Sequence, residues 1–231
     1  MIEMIEMKDV YKKYPNGVVA ANGIDVSIKA GEFVYVVGPS GAGKSTFIKM
    51  MYREEKPSNG TIMINGINLA KLKTSKVPLL RRNIGVVFQD FKLLPTLTVY
   101  ENVAFALEVT EEQPKYIKKQ VMETLDLVNL KHKARMLPTE LSGGEQQRVS
   151  IARSIVNSPK VVIADEPTGN LDPETSWEIM NIFDEINTRG TTVVMATHNK
   201  EIVNKIKHRV IAIESGKIVR DEQRGEYGYE S

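Results

Sequence analysis

Apolar residues along this chain recur with two different periods. Ile24-Asp25-Val26-Ser27-Ile28 alternates with period 2, the pattern of a half-buried strand. Phe33 to Val37 and Val161 to Ala164 are unbroken apolar runs of strand length, as expected of strands covered on both faces. Gly60 to Gly66, Val86-Val87-Phe88 and Thr191 to Ala196 predict three more strands. Helical spacing appears between them. It links Phe47, Ile48 and Met51, then Ile117, Val121, Leu125 and Val128 behind Pro114. Val149, Ala152, Ile155 and Val156 make a third helical face. Ile179, Phe183 and Ile186 make a fourth, between an Asp172-Pro173 start and a Gly190 stop. Residues 1–37 are thus β-rich, 95–157 helical, and 160–218 alternate strand with helix. That order predicts an α/β fold whose mostly parallel sheet is flanked by helices. There is no internal repeat and no low-complexity linker, so one domain over 1–231 is expected. The polar residues from Arg220 onward predict a loosely ordered tail.

Chemistry enters at the strand ends. Gly38-Pro39-Ser40-Gly41-Ala42-Gly43-Lys44-Ser45, followed by Thr46, fits Gly-x-x-x-x-Gly-Lys-Ser/Thr, a phosphate-binding loop. Its glycines let backbone N–H groups converge on an anion, and the helix that follows adds the positive end of its dipole. Lys44 is placed for β- and γ-phosphates, and the Ser45 hydroxyl for Mg²⁺. The strand 160–164 ends in Asp165-Glu166, and a carboxylate there requires a cationic partner. Asp165 is the candidate metal ligand and Glu166 the candidate to orient or deprotonate water. His198 leaves the next strand on the same sheet edge, within reach of a γ-phosphate oxygen. Gln89 follows Val86-Val87-Phe88 and offers a neutral amide to Mg²⁺ or its water.

A second glycine turn, Ser142-Gly143-Gly144-Glu145, opens the helix after Leu141. A hydroxyl, two glycines and a helix N-terminus form another anion site. The phosphate loop already holds one side of a single γ-phosphate. A symmetric homodimer satisfies both turns, each chain's second turn closing over the other chain's nucleotide.

Composition narrows the class without changing this picture. The chain is 42% hydrophobic and 26% charged, ordinary values for a globular protein. It has no cysteine, which excludes disulfides, thiolate metal sites and a cysteine nucleophile. A net charge of +2 gives no argument for nucleic acid, and none is expected as a partner. No apolar run nears the ~18–20 residues of a membrane span. The first residues lack a basic stretch followed by an apolar one, so no signal peptide is expected and a cytoplasmic location is.

Taken in order, Tyr14, Gly38–Ser45, Gln89, Leu141–Gln147, Val161–Glu166, Asn170-Leu171-Asp172 and His198 resemble the motifs of the ABC-transporter ATPase family. The likeness covers nearly the whole chain. It implies a P-loop NTPase fold: a RecA-like core, an antiparallel β-subdomain and a helical subdomain carrying the Ser142 signature. It also implies ATP and Mg²⁺ as ligands, a D-loop at Asn170, Leu171 and Asp172, and adenine stacked on Tyr14. Tyr11 is the competitor for that stacking role. Glu145 departs from the glutamine that many family members carry there.

Val77 to Asp90, Leu93-Leu94-Pro95 and Thr98 to Val103 resemble the cell-division branch of the family, as does the ending Gly225-Glu226-Tyr227-Gly228-Tyr229. That likeness implies an FtsX-like integral membrane partner and, through it, control of extracellular peptidoglycan hydrolases. It also implies peripheral attachment to the cytoplasmic face of the membrane at the division site. The ATPase of a lipoprotein-release or export complex is the alternative with the same fold. A soluble cassette acting on DNA or ribosomes is the alternative from another class. Some of Phe88, Phe91, Leu93, Leu94, Pro95, Val99 and Tyr100 are expected to line a groove for a helix of the membrane partner. Lys71, Lys73, Lys76, Arg81 and Arg82 form a basic face nearby.

Overall fold

The computed structural model describes residues 2–109 and 112–228. Strands β1 (Glu3–Lys13) and β2 (Val19–Lys29) come first, then β3 (Phe33–Val37), α1 (Lys44–Met51), β4 (Asn59–Ile64) and β5 (Ile67–Asn68). The middle of the chain holds α2 (Val77–Arg82), β6 (Ile84–Val87), α3 (Val99–Glu108), α4 (Pro114–Leu127) and α5 (Gly143–Ile155). After these come β7 (Val161–Asp165), α6 (Pro173–Thr188), β8 (Thr192–Ala196), α7 (Lys200–Lys205), β9 (Arg209–Glu214) and β10 (Lys217–Glu222).

Two sheets result. One has the order β10-β9-β3-β8-β7-β6, parallel except for β10 at its edge. The other, β2-β1-β4-β5, is antiparallel. The parallel strands are apolar on both faces because both faces are covered. Phe33, Tyr35 and Val37 point into a core shared with α3 to α7, whereas Val34 and Val36 point into a second core. The same alternation runs through β7, β8 and β9. The second core holds α1 between the two sheets. Helices α3 to α7 therefore cover one face of the parallel sheet, and α1 covers the other, itself backed by the antiparallel sheet.

Helix α1 is only eight residues long, marginal on its own. Phe47, Ile48, Met50 and Met51 are all fully buried, each stabilising the helix by roughly 1.5–3 kcal/mol. The α4 face formed by Ile117, Val121 and Leu125 is buried, and Val128 just beyond it is too. At α3, Thr98 and Glu101 form a reciprocal capping box, and buried Asn102 binds the backbone of Leu94 and Leu97.

The C-terminal segment is better anchored than its polarity suggests. Residues 220–222 belong to β10. Tyr227 is buried against the helical core, and its N–H donates to Asn204 Oδ1 at 2.7 Å. Tyr229 lies outside the described residues.

Candidate functional site

Strands β3, β6, β7 and β8 are parallel and in register, so the segments leaving their C-terminal ends gather on one edge. Val37 leads into the loop 38–43, Val87 into Phe88-Gln89, Asp165 into Glu166, and Ala196 into Thr197-His198.

The loop 38–43 wraps the start of α1. Gly43 occupies the N-cap in a left-handed conformation (φ 107°) with no side-chain cap, so the first N–H groups of α1 face outward. Two of the loop's glycines are required by close packing. A Cβ on Gly38 would lie 2.1 Å from the Ile213 carbonyl oxygen, and one on Gly43 would lie 2.2 Å from that of Ala20. A Cβ on Gly41 would meet nothing within 4 Å, which leaves that side open. Pro39 O accepts from Ala42 N–H, and Ala42 O accepts from Gly216 N–H, so the turn after β9 braces the loop. Lys44 Nζ donates to Gly38 O at 2.8 Å and Pro39 O at 3.1 Å. Its charge is thus held over the cradle by weak neutral acceptors that an anion can displace. Tyr14, rather than Tyr11, comes to the first turn of α1: its hydroxyl is 3.2 Å from Thr46 Oγ1. Tyr11 instead turns its hydroxyl toward Asp9 and Gly23.

The Ser45 hydroxyl stands beside Asp165 and favours its charged form. Burial, reinforced by the adjacent Glu166 charge, raises its pKa above the usual aspartate value, with Lys49, Ser45 and Lys44 opposing. A partly buried carboxylate with a hydroxyl beside it, short of counter-charge, is the donor set that Mg²⁺ fits. Glu166 sits in the left-handed region at φ 50°, strained for a residue with a side chain. Its N–H donates to Ala196 O at 3.0 Å. Its carboxylate accepts from His198 N–H at 3.1 Å and lies 2.8 Å from His198 Nδ1. The two residues singled out for water and γ-phosphate are therefore one unit.

Gln89 stands apart from Ser45 and Asp165: among the described residues no hydrogen bond joins them. Its Nε2 instead approaches Asn170 Oδ1 at 3.4 Å. Asp172 in the same loop is committed to structure. It caps α6 by accepting from Thr175 N–H and Oγ1, and the Thr175 hydroxyl chiefly lowers its pKa.

The signature turn is equally well built. Ser142 Oγ accepts from Glu145 N–H, and Glu145 Oε2 accepts from Ser142 N–H at 3.0 Å, a complete capping box. Lys133 pairs with the same carboxylate and is the main cause of its lowered pKa. Glutamate at this position therefore adds an ion pair to the capping bond. The two glycines differ. A Cβ on Gly144 would sit 2.3 Å from Thr175 Cγ2, so this glycine exists for the α5–α6 contact. A Cβ on Gly143 would find only ordinary contacts with Leu171 at 3.7 Å and Phe91 at 3.9 Å. Among the described residues no hydrogen bond links residues 142–145 to the phosphate loop.

Two contributors were not singled out from the sequence. Gln147, fully buried, donates from Nε2 to Pro167 O at 2.7 Å and ties the signature helix to the segment after Glu166. Arg153 is the other. A groove of about 600 Å³ beside this edge is lined by Phe88, Leu94, Phe105, Val109, Arg81 and Arg153, among others. Of the seven apolar residues, some of which were expected to line it, Phe88 and Leu94 do. Val99 is core, and Leu93 and Tyr100 pack against core. Phe105 and Val109 join from α3 and its end. Arg81 and Arg82 border the groove, but Lys71, Lys73 and Lys76 do not.

A family model described as ABC transporter matches residues 21–169. The chain is 76% identical to the cell division ATP-binding protein FtsE of Bacillus subtilis, over 97% of this chain and 99% of that protein. It is 44% identical to the protein of the same name from Escherichia coli, over 92% and 96% respectively. A dimeric ATP-binding cassette in a post-hydrolysis state, bound to ADP and Pi, superposes with a TM-score of 0.87 at 35% identity. That match covers 96% of this chain and 99% of the cassette. With the phosphate loop, the Asp165-Glu166 strand end and His198 on one sheet edge, the chain belongs to the ABC transporter family, as an ATP-hydrolysing cassette of the FtsE type.

Proposed function

We propose that this ATPase drives an FtsX-like integral membrane protein from the cytoplasmic face of the membrane at the division site, and through it controls peptidoglycan hydrolysis outside. The observation that carries this reading is the path of segment 88–94. It begins beside the D-loop at Gln89 and ends in the apolar groove at Leu94, so one short stretch touches both the nucleotide edge and the docking surface.

Each residue's part follows from its surroundings. Lys44 exchanges Gly38 O and Pro39 O for β- and γ-phosphate oxygens, and the N–H groups of the loop and of α1 surround the same anion. Tyr14 presents its ring to adenine. Ser45 and Asp165 hold Mg²⁺, with Gln89 brought in as the cassette closes. Bound Mg²⁺ supplies the counter-charge that Asp165 and the phosphates need. Glu166 accepts the proton of the attacking water, or aligns it, and His198 holds Glu166 in place while facing the γ-phosphate. Ser142 can donate its O–H outward because its oxygen already accepts from Glu145 N–H. With Gly143 it closes over the nucleotide of a second copy, and the D-loop lines the same seam.

Glu166→Gln keeps nearly the same shape and removes the base. Hydrolysis should fall about 10²- to 10⁴-fold with ATP still bound. Turnover near wild type would assign the water to another residue. Leu94→Asp puts a charge where an apolar contact of roughly 1.5–3 kcal/mol forms, a loss of about 10- to 150-fold in affinity. It should abolish co-purification with the FtsX-type protein and leave nucleotide binding intact. Capture at wild-type yield would refute this docking site.

A further inference from the structure

Between Gln89 and Leu94 the chain makes a turn that side-chain sterics disfavour. Phe91 and Lys92 are successive residues in the left-handed region, with φ of 57° and 51°. Neither is glycine, and single residues of their kind rarely adopt it. Something must hold the pair. Arg153, near the end of α5, does so with both arms of its guanidinium. Nη1 donates to Lys92 O at 2.7 Å, and Nη2 donates to Phe91 O at 2.9 Å. Burial pulls the Arg153 pKa below its ordinary value, so these two carbonyl dipoles are its local compensation.

Three further contacts give the clamp a direction. Leu94 N–H and C=O are both taken by Asn102 of α3, which pins the groove end of the segment to the helical layer. Gln89 at the other end meets Asn170 of the D-loop. The Phe91 ring lies beside Gly143: its Cζ is 3.9 Å from where a Cβ on that glycine would be. Arg153 therefore joins, through one turn, the groove lining, Gln89 and the first glycine of the signature.

We infer that Arg153 is the positioning residue through which occupancy of the groove is transmitted to Gln89 and to the signature turn. It lines the groove itself, so an inserted helix meets the stem of the same side chain that holds Phe91 and Lys92. A shift of its guanidinium moves two carbonyls at once, one on each side of the Phe91–Lys92 peptide, and the turn pivots as a unit. A planar, five-donor fork suits this task, whereas a lysine offers a single point of attachment. The inference rests on the docking reading above and deepens it.

The test compares Arg153→Ala and Arg153→Lys with wild type, each alone and reconstituted in vesicles with the FtsX-type protein. Arg153→Ala should keep its KM for ATP within about twofold, and coupling is compared at saturating membrane protein so that any change in docking affinity does not enter. The increase in kcat on reconstitution should shrink about fivefold or more. Arg153→Lys should recover part of it. Glycine adopts the left-handed region without side-chain strain, so Lys92→Gly added to Arg153→Ala should relax the turn without restoring coupling; recovered coupling would show that the arginine only supports the turn and would overturn the inference. Full stimulation in Arg153→Ala, with the membrane protein bound, overturns the inference and leaves docking intact. Failure of Leu94→Asp to block capture overturns the docking reading instead.

A second readout needs no partner and keeps the test decisive if Arg153→Ala folds poorly. Hydrogen exchange on Arg153→Lys should show faster exchange at residues 90–94 together with 142–144. Acceleration confined to 90–94 overturns the link to the signature turn.

Discussion

Replacing Gly144 with alanine separates two reasons for a glycine pair. The added Cβ would stand 2.3 Å from Thr175 Cγ2, far inside the 3.5–4.0 Å of a favourable carbon contact. Thr175 cannot simply rotate away. Its Oγ1 donates to Asp172 Oδ2 at 2.6 Å, and its N–H is held by the same carboxylate. Either α5 withdraws from α6 or the α6 cap is lost. Overpacking of this kind costs about 1–3 kcal/mol, offset by up to about 1 kcal/mol from alanine's better helix propensity. The net expectation, about 1–2 kcal/mol, lowers Tm by roughly 2–8 °C for a domain of this size. Thr175→Ser removes only the clashing methyl and keeps the capping hydroxyl. The pair Gly144→Ala and Thr175→Ser should therefore show a favourable coupling of about 1–2 kcal/mol in urea unfolding at unchanged m. Gly143→Ala, with room around it, should stay within about 0.5 kcal/mol of wild type. Equal stability of Gly144→Ala and wild type, or additive effects in the double mutant, would refute the steric account.

Lys44→Ala should lose ATP binding and Ser142→Arg should keep it without turnover; mixing the two should restore partial hydrolysis through the one intact composite site, measured as phosphate release. No recovery in demonstrated heterodimers would count against sites shared across the seam. The Glu145 carboxyl is held below its usual pKa by Lys133, so it stabilises the fold above the ordinary carboxylate range, and that contribution is lost as pH falls through its lowered value. Glu145→Gln should be less stable than wild type at neutral pH and converge with it in acid; a constant gap across pH would show that the ion pair contributes nothing.

Much of the site was legible because its determinants are local. The strand–loop–helix order around Lys44, the carboxylates ending an apolar strand, and the Asp172-Pro173 helix start are each written within a dozen residues. What escaped depends on residues far apart in the chain. The antiparallel sheet that backs α1 is expected only through the family likeness, because its pairing requires β1 to find β4, with Met7 opposite Ile62. Arg153 reads as an exposed helical charge until α5 is laid against the turn at Phe91, 62 positions earlier. Asn102 sits in an apolar helix where only its four backbone bonds explain it. Tyr227 is one of two tyrosines in a polar ending, with no periodicity to announce its burial. The Gly143–Gly144 pair is visible in sequence, but the clash that distinguishes its members is a matter of ångströms between helices.

The strand order has a consequence for synthesis. β3, the strand that carries the phosphate loop, lies between β8 and β9; Phe33 pairs with Val193, about 160 residues later. At roughly 5–20 residues per second, a ribosome needs about 8–32 s to make that interval. Throughout it, Phe33-Val34-Tyr35-Val36-Val37 has no neighbour to complete its ladder, although it is among the most apolar stretches of the chain. The antiparallel sheet, finished by Asn68, has all its strands long before then. The nascent cassette thus has a β-sheet that can form early and a nucleotide edge that forms last. Its exposure to aggregation and to chaperones is concentrated in the wait of one strand for its partners.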